Sequence, residues 1–242
     1  MNKLKVLTKR NLLEIIRDPL SLVFCLGFPI VMLIIMPLIL GGLEYVPNIF
    51  EIENYSVGIC VFGSCFSALF VAMHISGDKN TEFIKRIRIA PVSHTTYLFS
   101  FVLATLPITI IQTVIFLCIG VIFGLPFGLQ TLIAVIYLIP SMLFFISAGV
   151  LIGSLCKSEK HAGPVSSILI SFCGILGGVF MPIEGMGAFT LVANILPFSH
   201  TVKIASGVFF NDFACIFPHI LWVIGYSLAV WGFIVIISKV KE

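Results

Sequence analysis

The residues best placed to do chemistry lie in positions 77–97, GDKNTEFIKRIRIAPVSHTTY, where Lys79, Lys85, Arg86 and Arg88 outnumber Asp78 and Glu82. At helical spacing, Phe83, Ile84, Ile87 and Ala90 fall on one face. Glu82, Lys85, Arg86 and Arg88 fall on the other, with Ile89 the one apolar residue out of place. Pro91 ends the helix, because its ring disfavours the α conformation at the residue before it. Ser93 can cap the helix that follows. This pattern suits recognition rather than bond-making. An apolar anchor of Phe83 and Ile87 ringed by charges could dock another protein. The plainer reading is a basic loop that only fixes topology.

Nothing elsewhere assembles into a catalytic group. His74, His94, His161, His200 and His219 sit near predicted span ends, scattered in sequence, with no HExxH or comparable ligand spacing. A metal site is therefore not expected. The 7 cysteines are odd in number, contain no CxxC and mostly fall inside apolar runs, so they read as small inert thiols. Ser and Thr abound, but no base and orienting acid accompany them. The phosphate loop GxxxxGK[ST] needs a Gly-Lys pair, which this sequence lacks. No ATP cofactor is expected in this chain, and any ATP that drives it must be hydrolysed by another. Gln112, in the core of a predicted span, is a candidate pathway residue or a helix–helix hydrogen bond.

The elements that position these residues are membrane spans. The chain is 59% hydrophobic and only 10% charged, and its mean hydropathy is +1.16. A net charge of +3, thinly spread, gives no reason to expect nucleic acid. The length suits a single membrane domain, and the basic N-terminal stretch shows no small-residue cleavage site of a signal peptide. The predicted architecture is all-α integral membrane, with spans at about 20–42, 55–76, 97–123, 129–155, 165–179 and 216–237. Pro29 and Pro37 should kink the first span. The fifth helix should fail by Gly177-Gly178, leaving roughly 20 Å of apolar helix. Residues 180–198 then read as a re-entrant hairpin, broken at Pro182, Glu184 and Pro197. Before the first span, residues 4–18 form an amphipathic helix along the membrane. Leu12, Leu13, Ile15 and Ile16 lie on its apolar face and Arg10, Glu14 and Arg17 on the opposite one.

Charge asymmetry orients the whole. With the N-terminus in the cytoplasm, every Lys and Arg except Lys203 falls in an inner segment. Glu44, Glu51, Glu53, Glu184 and Asp212 fall in outer loops. Both termini are expected to be cytoplasmic.

Three stretches resemble the membrane-spanning permease subunits of type-2 ABC transporters, which are mostly bacterial exporters. LTKRNLLEIIRDP is similar to that family's connecting, or elbow, helix. TEFIKRIRIAPVSHTTYLFSF resembles its coupling helix, here within 79–91. GGVFMPIEGMGAFTLVANILPFSHTV resembles its hairpin with a Phe-x-Pro turn, formed by Phe180 and Pro182 and closed by Pro197; Gly187 follows Met186 where a Pro is frequent. The resemblance implies two permeases, identical or related, paired with two cytoplasmic ATPase subunits that bind ATP and Mg. It places the chain in a bacterial plasma membrane. It assigns ATPase docking to Glu82, Phe83, Lys85, Arg86, Ile87, Arg88 and Pro91.

No predicted span core carries an acidic or basic residue, which argues against an ion-driven carrier or a membrane-embedded enzyme. Such an interior leans towards lipophilic or amphipathic cargo: a drug-like molecule, a peptide or a lipid-linked glycan. The alternative is an immunity-type or scaffold membrane protein that binds a partner without transport.

Overall fold

The computed structural model describes residues 3–42, 45–90 and 92–241, with the side chains at 20, 21, 88, 240 and 241 outside the description. Every regular element among the described residues is helical. In order these are α1 (Lys3–Ile16), α2 (Pro19–Leu22), a π turn (Val23–Gly27), α3 (Phe28–Leu40), a 3-10 turn (Asn48–Phe50), α4 (Ile52–Asp78) and α5 (Glu82–Ile89). They continue with α6 (His94–Ile122), α7 (Leu129–Leu155), α8 (Glu159–Leu176), α9 (Ala188–Ile195), α10 (Pro197–Phe209) and α11 (Phe213–Lys241).

Among the described residues, five stretches are helical, long and apolar enough to cross a bilayer: Val23–Leu40, Ile52–Asp78, His94–Ile122, Leu129–Leu155 and Phe213–Lys239. The number rises to six if α9 and α10, bent by 78° at their junction, make one crossing. The expected fifth span corresponds to α8. Its first turn begins Glu159, Lys160, His161, so its apolar part is short.

Burial ranks the helices. The most apolar 18-residue window of α4 is 83% buried, against 17% for Val23–Leu40 and 11% for α11. α4 is therefore the central post, and it packs on α6, α7, α8 and α10. Its closest approach is to α7, where Ala68 and Ala72 face Gly149 and Gly153, one turn apart on each helix. A Cβ on Gly149 would lie 2.3 Å from the Ala68 carbonyl oxygen, so that crossing requires glycine. Small residues at four-residue spacing let two backbones touch where lipid offers no hydrophobic drive for association.

The first span is more than a kinked rod. It divides into α2, the π turn and α3, with Pro29 in the first turn of α3. Pro29 has no N–H to give to the Cys25 carbonyl four residues earlier. Gln112 of α6 supplies that donor, its Nε2 lying 3.1 Å from the Cys25 oxygen. Its Oε1 accepts from Cys25 Sγ at 3.2 Å and from Ser67 Oγ at 3.1 Å. Gln112 is only 1% exposed. Its geometry is that of the helix–helix hydrogen bond.

The hairpin has other bounds than expected. Gly178 takes φ +76°, the left-handed stop that glycine provides after α8. The chain then turns back, and Phe180 sets its ring edge-on to Phe62 of α4, centroids 4.9 Å apart. The helical pair runs over α9 and α10, from Ala188 to Phe209, so it extends well past residue 198. Pro197 opens α10, because proline's fixed φ and missing N–H suit a first helical turn. Trp222 Nε1 and Tyr226 Oη of α11 both donate to the Ile195 carbonyl at 2.9 Å, tying the bend to the last helix. His200 and His219 meet through their Nδ1 atoms at 2.7 Å. A neutral pair satisfies this contact: His200 donates from Nε2 to the Asn194 carbonyl and accepts at Nδ1 from His219.

Candidate functional site

α5 sits at the end of the molecule where α4 and α7 stop and α6 and α8 begin. Its eight residues are the most amphipathic helical stretch of the chain, and tertiary contact has to hold so short a helix in place. Ala90 at its end is extended, as the residue before a proline should be. Ser93 caps α6 by accepting from the Thr96 N–H at 3.2 Å.

A polar node clamps α5 to three other helices. Arg10 of α1 donates to both oxygens of Asp78, at 2.7 and 2.8 Å, in a bidentate pair. Tyr97 of α6 donates to the same carboxylate at 2.7 Å. Arg10 also bonds Glu14 at 2.8 Å, and its guanidinium carbon lies 4.0 Å from the centre of the Phe83 ring. Asp78 is 4% exposed, so three donors replace the water its carboxylate has lost. Burial works against the Arg10 charge, but the Asp78 hydrogen bond and the charges of Asp78 and Glu14 hold the guanidinium above its ordinary range. Burial, followed by the Asp78 charge, pushes the Glu14 carboxyl up, and Arg10 offsets part of that rise. Beside the node, Asn11 donates to Ser100 at 2.7 Å, locking α1 onto α6.

This arrangement revises two expectations. Phe83 and Ile87 were assigned to a partner-facing anchor. Instead Ile84 and Ile87 are buried in an apolar cluster with Leu7, Ile75, Tyr97 and Phe101, and Phe83 packs against that cluster. The apolar face of α5 turns towards the chain's own core, because α4 and α6 offer apolar surface next to it. What remains exposed is Glu82, paired with Lys85 at 2.7 Å, together with Arg86 and Ile89. Ile89, which the helical pattern left out of place, is 87% exposed. The side chain of Arg88 and the whole of Pro91 lie outside the described residues, as does Glu44.

The second revision concerns α1. Arg10 and Glu14 were placed on its solvent face, but they turn inward with Asn11, while Leu13 and Ile16 are 38% and 48% exposed. Leu7, Asn11 and Ile15 form the stripe packed against the body, and Arg17 is exposed. Asp78, Asn11 and Tyr97 were the residues that sequence reasoning missed. The available signal was an Asp immediately after an apolar helix with an Arg on a neighbouring amphipathic one.

At the opposite end, Pro182 and Glu184 line a cavity of about 610 Å³ together with Asn48, Asn194 and Lys203. Phe180 and Pro197 are packing residues of the hairpin, as described above. Among the described residues, no three His, Cys, Asp or Glu side chains gather as metal ligands would.

Bilayer-length helices around a central post, with a short helix clamped at one end, define a polytopic α-helical membrane protein. Residues 2–210 match the family described as ABC-2 type transporter, and the chain belongs to that family. It is also similar to ABC transporter G family member 23 of Dictyostelium discoideum, at 24% identity over 190 residues. That match covers 76% of this chain and 27% of the relative, so the chain spans about a quarter of that protein's length.

Proposed function

We propose that this chain is the permease of an ATP-driven exporter and that its ATPase partner docks on the outer face of α5. One observation carries the reading. The apolar face of α5 turns into the body beside the Arg10–Asp78–Tyr97 node and its apolar cluster, leaving Glu82, Lys85, Arg86 and Ile89 as its outer surface. Movement of that surface would reach α1, α4 and α6 through Phe83 against Arg10 and through the shared apolar cluster, contacts that a loop serving only topology would not need. ATP and Mg would be bound by the partner, and two permeases, identical or related, would share the membrane pathway. Positive charge concentrates at the α5 end, which supports a cytoplasmic placement of that end, and the resemblance to bacterial exporters is what suggests a bacterial plasma membrane. Helix interiors without acidic or basic residues favour lipophilic or amphipathic cargo.

The test compares Ile89→Asp with Lys85→Gln at matched membrane expression. An exposed apolar anchor dominates docking while rim charges tune it. Ile89→Asp should lower ATPase co-purification and transport about tenfold or more, and Lys85→Gln should have a smaller, salt-dependent effect. Wild-type co-purification by Ile89→Asp would refute docking on this face. A partner captured without any cargo-stimulated ATP hydrolysis would favour a scaffold over a transporter.

A further inference from the structure

Behind α5, on the side away from its exposed face, lies a cavity of about 680 Å³. This is within the roughly 300–1,000 Å³ typical of ligand sites. Part of its wall is apolar, with Ile84 and Ile87 on the α5 side, Val92 beyond it and Leu155 at the end of α7. Lys79, Lys157 and His94 also line it, and no carboxylate does among the described residues. Lys79 directly follows the end of α4, Lys157 closely follows the end of α7, and His94 opens α6. The charge therefore sits at the level where three spans leave the bilayer. Lys79 Nζ is held there by the carbonyls of Ser154 and Cys156, which lie at the end of α7. Leu155 and Lys157 are both exposed, so the cavity opens to the surface along their edge.

A chamber with an apolar wall and a cationic rim at headgroup depth selects a molecule that is apolar at one end and anionic at the other. A water-soluble anion would gain nothing from the isoleucine wall. A protein docked on Ile89 and Arg86 would approach from the other side of α5. We propose that this cavity binds an anionic phospholipid of the adjacent leaflet. Its phosphate lies between Lys79 and Lys157, and its upper acyl carbons lie against Ile84, Ile87 and Leu155. Such a lipid would brace α5 from behind. The proposal takes its leaflet from the topology read above, but the binding chemistry does not depend on an ATPase partner.

The experiment is native mass spectrometry of the detergent-purified chain, titrated with dioleoyl phosphatidylglycerol, dioleoyl phosphatidylcholine or inorganic phosphate. Phosphatidylglycerol should be retained about tenfold more tightly than phosphatidylcholine, and phosphate should not displace it. Lys157→Gln should weaken the anionic lipid about fivefold and leave the zwitterionic one unchanged. Lys160→Gln, which removes an exposed charge outside the cavity, should do neither. Val92→Trp should fill the chamber and release both lipids, with thermal unfolding confirming an intact fold. Equal retention of the two lipids overturns the proposal, as does phosphatidylglycerol retention unaffected by Lys157→Gln and Val92→Trp alike. Lipid binding is read on the isolated chain, so its failure and a failure of ATPase docking are separate results.

Discussion

Asp78 is the side chain on which the α5 end depends. Its carboxylate accepts from Arg10 twice and from Tyr97 once while almost fully withdrawn from solvent. Removing one partner of such a pair strands the other, which typically costs about 3–5 kcal/mol, whereas replacing both with apolar groups can be nearly neutral. Partly exposed Arg10 moderates the cost on its side. Asp78→Ala should therefore destabilise the purified chain more than the double variant Arg10→Met with Asp78→Leu, measured by thermal unfolding in detergent. It should also loosen α5, raising hydrogen exchange across positions 82–89. If Asp78→Ala unfolds like wild type, the node contributes no stability.

At the scale of the element, the first span shows how one helix depends on another. Pro29 leaves the Cys25 carbonyl without its usual donor, and Gln112 provides one from α6. Within a bilayer no water can take over that role. Gln112→Leu, close in volume and unable to donate, should cost about 1–3 kcal/mol. Restoring the backbone donor with Pro29→Ala should recover part of that loss, so the double variant should be more stable than Gln112→Leu alone. Thermal unfolding of the three proteins checks this, and strict additivity of the two changes would rule out the coupling. The bend between α9 and α10 follows the same logic, with Trp222 and Tyr226 satisfying the Ile195 carbonyl that the break at Pro197 exposes.

For the whole molecule, one-sided charge predicts one orientation. Glu51→Cys and Arg86→Cys, in a background with the exposed Cys118 and Cys215 changed to Ser, should label from opposite sides of the membrane. An impermeant reagent should reach the first in intact cells and the second only after permeabilisation. Labelling of both from one side would overturn the topology. The same two ends carry the two cavities, one rimmed by lysines behind α5 and one lined by amides beside the hairpin.

Five of the six expected spans, the short helix at 82–89, the Ser93 cap and the stop at Gly178 were legible in the sequence. Each rests on local physics: run length against bilayer thickness, helical period, capping and the φ that glycine alone takes readily. Which way an amphipathic helix faces was not legible. The periodicity of α5 separates Phe83, Ile84 and Ile87 from Glu82, Lys85 and Arg86, but it cannot say whether the apolar side meets a partner or the chain's own core. The answer depends on surface supplied by α4 and α6, which are remote in sequence. The same holds for Arg10, whose carboxylate partner lies 68 residues away, and for Gln112, whose partner carbonyl is freed by a proline on another helix. Local pattern therefore determined which elements form and what they can bury. Only the tertiary structure decided what they bury it against, because a polar group taken out of water must find a partner wherever the fold brings one.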